Sequence, residues 1–285
     1  METCTKAAEL LGVEDVRFIE PSFSDLPDES FTFLMLEIEG DQGRLLVDEE
    51  SDPIALAVHT GAGWLAGSFH LRSPTGPIIE YFEDLGGDIY QENRSAWESA
   101  VREYYSKILA RMVTPALEDL NPARTAQVRE LLSEYRNDLA GTTCIDCCCG
   151  SGVGSLVLRE TGYSVVSYDN DPALLSLGLQ SGRLLPGETM HIDATRAGDY
   201  IDGADCGLGL MFGEINEFNR ELWEGITTEL VALTSRSIIT VGTEKEAFII
   251  EEWVRDLDCS VMISENRRDP IYDRWVCRIQ RNDIS

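Results

Sequence analysis

The run Cys144-Ile145-Asp146-Cys147-Cys148-Cys149-Gly150-Ser151-Gly152-Val153-Gly154 holds the residues of this 285-residue chain best suited to chemistry. An apolar strand delivers an acid and then closely spaced glycines, and Leu156, Val157 and Leu158 continue as a helix. Glycines at a strand-to-helix turn let backbone N–H groups approach a ligand that side chains would hold away, which is a nucleotide-cofactor signature. A dinucleotide fingerprint would read G-x-G-x-x-G. Here position 155 is Ser and the third glycine comes one residue early, which argues against NAD or FAD.

The next strands carry acids at their ends. The β-rich run Tyr163 to Tyr168 leads into Asp169-Asn170-Asp171-Pro172. A carboxylate about 15 to 20 residues past the glycines is suited to accept both ribose hydroxyl protons, and Asp169 fills that place. A third strand, Glu188 to Ile192, ends in Asp193-Ala194-Thr195. The cysteines Cys147, Cys148 and Cys149 invite a metal reading, because thiolates bind zinc. Adjacent residues on a strand alternate in direction, no second C-x-x-C pair exists, and His59, His70 and His191 are far away in sequence. No metal is expected, and the cysteines read as small buried hydrophobes.

Asp146 with its glycine turn, Asp169 and Asp193, in that order, resemble the motifs of class I S-adenosylmethionine-dependent methyltransferases. Their first motif is an apolar strand, an acid and a G-x-G turn. Cys148 stands where many members have a first glycine, as in the D-x-C-C-G-x-G version. The resemblance implies S-adenosylmethionine as cofactor, bound by Asp146, Cys148, Cys149, Gly150, Gly152, Asp169, Asn170, Asp193 and Ala194, with Asp193 accepting from the adenine amino group. It covers residues 141–285. Such a cofactor brings an electrophilic methyl group, so the protein mainly aligns a nucleophile and sometimes removes a proton. The loop Met211 to Asn219 lacks the N/D-P-P-Y/F sequence of amino methyltransferases acting on adenine or glutamine. Glu214 is its candidate base or acceptor-orienting group, since a carboxylate facing a closed pocket titrates nearer neutrality.

The positioning elements follow from periodicity. Residues 141–285 alternate strand and helix, the pattern of a parallel sheet. Asp171-Pro172 opens one helix, Asn216 to Leu233 forms another, and Thr243 to Glu246 is a capping box for a third. Cys259 to Ser264 and Arg274 to Gln280 are joined without a helix, as the resemblance implies for the last two of seven strands. Upstream, a short helix at Lys6 to Leu11 precedes strand-like runs at 31–38, 54–60, 64–71 and 77–82, the middle two forming a hairpin across Gly61-Ala62-Gly63. Two helices follow, one capped by Ser95 and one opening at Asn121-Pro122, with a stripe through Leu139 that ends at Gly141. The expected fold is α/β: an N-terminal β-rich or α+β accessory module (1–87), a helical connector (88–140) and a Rossmann-like seven-stranded methyltransferase sheet (141–285).

Composition bounds the function. With 43% hydrophobic and 26% charged residues the chain is an ordinary globular one, and its start has neither a basic region nor a long apolar run. A cytoplasmic location with reduced thiols is therefore expected and a membrane is not. The net charge is −28, with only 3 Lys among 23 basic residues, and the acidity is global, −16 up to residue 140 and −12 beyond. A surface of that sign repels phosphate backbones, so nucleic acid is not the expected substrate. His59, Trp64, His70 and Arg72 around the early hairpin, and Arg267, Arg268, Tyr272 and Arg274 in the late one, are candidates for substrate choice, an arginine group being able to hold a carboxylate or phosphate. Pairing with the chain's own acids is the competing role. The expected function is methyl transfer to a small molecule or a protein side chain. The alternative is a non-catalytic S-adenosylmethionine-binding or protein-interaction subunit.

Overall fold

A computed structural model describes residues 5–74, 76–118, 121–135 and 143–282. The chain divides into two compact units, Met1–Ile108 and Leu109–Ser285.

In the first unit, α1 (Lys6–Leu10) is capped by the Thr5 side chain and is followed by β1 (Arg17–Phe18) and α2 (Ser30–Leu36). A meander of β2 (Gln42–Val47), β3 (Pro53–Thr60) and β4 (Gly63–Ser68) leads into α3 (Gly76–Leu85), β5 (Gly87–Gln91) and α4 (Arg94–Met112), whose last residues pass into the second unit. The five strands lie in the order β1-β4-β3-β2-β5. The hairpin turns where expected, with Thr60 opposite Gly63. Two runs read as strands are helices. In 31–38, Thr32 and Met35 are buried three residues apart while Phe33 and Leu34 are exposed, and in 77–82, Ile78 and Phe82 are buried four apart. Both are helical spacings, and short apolar runs carry little alternation to tell the two states apart. Met35, Ile78 and Phe82 pack on Leu45, Leu56 and Val58 of the sheet.

The second unit begins with α5 (Arg124–Glu134). It starts two residues later than the Asn-Pro signal suggested, after a turn closed by the Arg124 N–H to the Asn121 carbonyl (2.8 Å), in which the Asn121 side chain accepts from the Ala123 N–H (2.9 Å). Leu139 and Gly141 lie outside the described residues. Then follow β6 (Thr143–Cys147), α6 (Val153–Glu160), β7 (Ser164–Asp169), α7 (Pro172–Gln180), β8 (Thr189–His191), β9 (Ala204–Gly209), α8 (Arg220–Ala232), β10 (Thr234–Val241), α9 (Glu244–Val254), β11 (Cys259–Glu265) and β12 (Trp275–Arg281). The sheet order is β11-β12-β10-β9-β6-β7-β8, parallel from β10 through β8, with β12 antiparallel to both neighbours. This is a Rossmann-like seven-stranded α/β sheet closed by an antiparallel hairpin. The order reverses at β6, between β7 and β9, so the carboxyl ends of these strands open a crevice there. Asn216 and Asn219 keep 214–219 as a loop rather than a helix start. Asn219 Nδ2 donates to the Glu214 carbonyl (2.8 Å), and Asn216 Oδ1 accepts from the Phe218 N–H (2.9 Å). Among the described residues no helix is long and apolar enough to cross a membrane.

Candidate functional site

After β6 the chain turns through Cys148 (φ 53°), Gly150 (φ 54°) and Gly152 (φ 82°) into α6. The Cys149 N–H donates to the Tyr168 carbonyl (3.0 Å), fastening the turn to β7. Only glycine suits position 152, where a Cβ would stand 2.6 Å from the Leu184 side chain. At Gly150 the same construction meets nothing nearer than Leu174 Cδ1 at 4.0 Å, so that side of the turn is open space.

Asp146 is 1% exposed and accepts from Ser155 Oγ at 2.5 Å. Burial pushes its carboxyl up to about 7; the Ser155 hydrogen bonds oppose that rise and the neighbouring Asp169 charge adds to it. Asp169 accepts from the Gly150 and Asp171 N–H groups, both at 2.8 Å, and thereby ties the end of β7 to the glycine turn. Burial raises its carboxyl as well, against those backbone bonds. Asp193 is exposed and accepts from the Thr195 N–H (2.9 Å) and hydroxyl (2.8 Å).

These strand ends surround a cleft of about 550 Å³. Of the residues singled out in the sequence, Asp146, Cys148, Cys149, Gly150, Asp169, Asn170, Asp193 and Ala194 line it. Gly152 does not and instead faces Leu184. Glu214 is exposed on the loop after the lining residue Gly213 and is not part of the wall. Met211 and Gly213, at the start of the loop read as the acceptor's, line the cleft too, and Arg124, Leu174, Leu210, Leu222, Trp223 and Ile226 do so without having been singled out for it. Leu222, Trp223 and Ile226 belong to the apolar stripe of α8, a pattern that reads equally as core. Arg124 gave no local signal, since its partners Asp269 and Asp273 lie 145 and 149 residues away.

The Cys148 thiol is pushed well up, first by its hydrogen bond with Cys147 and then by burial, and Cys149 is pushed up by burial first and then by the charges of Asp146 and Asp169. Protonated thiols are poor ligands and nucleophiles. Among the described residues no group of three His, Cys, Asp or Glu side chains is placed to hold a metal.

The other candidates have partners within their own units. Arg72 forms a buried ion pair with Glu20 and donates to Thr32 Oγ1 (3.1 Å). His70 Nδ1 meets Ser68 Oγ at 2.7 Å, and burial drives its pKa down to about 3. His59 meets Asp41 at 2.7 Å, and its ring lies 5.1 Å from that of Trp64. In the late hairpin, Arg267 and Arg274 pair with Glu265, and Arg268 with Glu134 (2.6 Å). These late cations are engaged by the chain's own acids.

No protein-family model matches the chain, and no curated protein matches it. Similar solved structures include TrmN from Thermus thermophilus, with 18% identity and a TM-score of 0.46 over 56% of this chain and 53% of that one. The chain thus spans about half the length of that protein. Magnesium protoporphyrin IX methyltransferase from Synechocystis PCC 6803, with bound S-adenosylmethionine, is 18% identical with a TM-score of 0.45 over 64% of this chain and 96% of that one. Ribosomal protein L11 methylase from Lactobacillus delbrueckii subsp. bulgaricus is 14% identical with a TM-score of 0.44 over 57% and 81%. The strand order itself establishes that the second unit is a Rossmann-like seven-stranded α/β fold with its cleft at the carboxyl ends of the central parallel strands.

Proposed function

We propose that the second unit binds S-adenosylmethionine and that the chain is a methyltransferase acting on a small molecule or a protein side chain. The observation that carries this reading is the junction of the glycine turn with Asp169, whose carboxylate accepts from Gly150 and Asp171 while still lining the cleft. A carboxylate with two backbone donors keeps acceptor capacity for a pair of ribose hydroxyls. The open space beside Gly150 admits a ligand against the backbone, and Leu174, Leu222 and Trp223 give apolar surface for a flat base. The volume is within the range of about 300–1,000 Å³ usual for small-molecule sites.

In this reading Asp146, Cys148, Cys149, Gly150, Asp169, Asn170, Asp193 and Ala194 bind the cofactor, and Gly152 shapes the turn that presents them. S-adenosylmethionine supplies the electrophilic methyl group, and the chain's own residues hold and orient the two reactants. Met211 and Gly213 lie on the acceptor side, and Glu214, exposed on the adjoining loop outside the wall, would orient an incoming acceptor. The charge of −28 favours a neutral or cationic acceptor over a polyphosphate.

The test is calorimetry with S-adenosylmethionine and S-adenosylhomocysteine. Asp169→Ala is expected to weaken both by roughly ten- to a hundredfold, the cost of a lost charged acceptor. A folded wild type that binds neither compound, or a variant with unchanged affinity, sinks the assignment.

A further inference from the structure

Arg124 is the first residue of α5 and is only 7% exposed, yet it lines the cleft. Its Nη1 donates to Asp269 Oδ2 at 2.9 Å and to Asp273 Oδ2. Both carboxylates are themselves buried and held in place. Asp269 Oδ1 accepts from the Ile271 and Tyr272 N–H groups (3.0 and 2.9 Å), and Asp273 Oδ1 accepts from the Thr240 hydroxyl (2.5 Å). The guanidinium is thus anchored at one end by two fixed acids.

A guanidinium has five N–H donors, and the two on Nη1 are committed here. Among the described residues neither Nε nor Nη2 of Arg124 has an acceptor. Those atoms form the side-on edge of the fork, the edge that takes both oxygens of a carboxylate. The rest of the charged lining is acidic: Asp146, Asp169 and Asp193. A wall with one preset guanidinium and several carboxylates suits a ligand bearing both signs. A bare anion would meet the surplus of aspartates around Arg124 and the field of a −28 chain.

We propose that Arg124 is a binding residue for the α-carboxylate of a zwitterionic amino-acid group, the tail of the cofactor, and that Asp269 and Asp273 hold its free edge toward the cleft. The inference rests on the cofactor reading given above. It assigns a role to a segment upstream of β6, outside the glycine turn and the strand-end acids.

Two nucleosides separate the outcomes. S-adenosylhomocysteine carries the amino-acid tail, and 5′-methylthioadenosine shares its nucleoside and sulfur but has no such tail. Calorimetry is done on the full chain, on Arg124→Lys and on Arg124→Gln. Lysine keeps a positive charge beside Asp269 and Asp273 but loses the planar fork, so this variant carries the test if the glutamine leaves the two acids too exposed to one another for folding. The expected result for Arg124→Lys is a rise of about ten- to a hundredfold in the Kd of S-adenosylhomocysteine, with 5′-methylthioadenosine changed by less than about twofold. Retained 5′-methylthioadenosine binding also reports that the cleft is folded. Equal losses for the two ligands, or no loss for either, overturn the proposal while leaving the cofactor reading intact. A wild type that binds neither nucleoside overturns the cofactor reading and this proposal with it.

Discussion

Asp146 makes the chain's stability depend on pH in the direction opposite to that of a salt-bridged acid. Its carboxyl rises from an ordinary 3.8 to about 7 in the fold, chiefly because the charged form is desolvated. Between those values the folded chain holds a proton that the unfolded chain has released, so raising the pH through this window favours unfolding. The stabilisation is fully present below about pH 4 and is lost by about pH 7. Asp146→Asn keeps an acceptor for Ser155 Oγ and removes the titration. Relative to wild type, the variant is expected to gain stability from pH 4 to pH 7 by up to about 1.4 kcal/mol per pH unit, measured by urea unfolding. A difference that stays constant with pH would show that the buried carboxyl does not titrate in this window.

At the scale of elements, the turn between β6 and α6 depends on glycine for reasons that differ along it. At Gly152 a side chain is opposed twice, by the left-handed φ of 82° and by Leu184 at 2.6 Å. Gly152→Ala is expected to destabilise the fold by about 2 kcal/mol or more, from backbone strain and overpacking together. It should also weaken S-adenosylhomocysteine, because the same turn presents Gly150 to the cleft. Thermal melting and calorimetry check the two effects, and a variant with wild-type melting would contradict the close packing at Leu184. Two helix starts were legible in sequence, whereas Ser95, read as a cap, lies inside α4, which begins at Arg94 after the Asn93 carbonyl accepts from the Ala96 and Trp97 N–H groups. Asp171 caps α7 with Pro172 at its first position, and Thr243 and Glu246 form the capping box of α9. α2 and α3 were not legible, because their few apolar residues face a small sheet whose position is set by distant strands.

At the scale of the whole molecule, the two units are proposed to divide the work, with cofactor contacts confined to the second. Trp64 is half-buried on β4, 5.1 Å from the His59 ring and 5.4 Å from the Arg44 guanidinium carbon. Trp64→Ala is therefore expected to leave S-adenosylhomocysteine affinity within about twofold of wild type, its cost falling on the stability of the first unit. Affinity and melting temperature are measured together. A stably folded variant whose cofactor binding fell as far as that of Asp169→Ala would refute the division.

The sequence by itself determined the order of strands and helices from residue 143 onward, the glycine turn and the acids at three strand ends. Those features are local: a turn needs glycine where φ is positive, and a parallel strand buried on both faces needs an apolar run ending in polar residues. Tertiary structure alone decided which of these residues share a cleft. It brought Asp169 to the Gly150 N–H, put Leu222 and Trp223 on the cleft wall and left Glu214 off it. It also joined Arg124 to Asp269 and Asp273 across just over half the chain. A buried ion pair of that span leaves no periodic trace, because its partners meet only when the helix before the first strand and the hairpin after the last helix fold onto the same sheet.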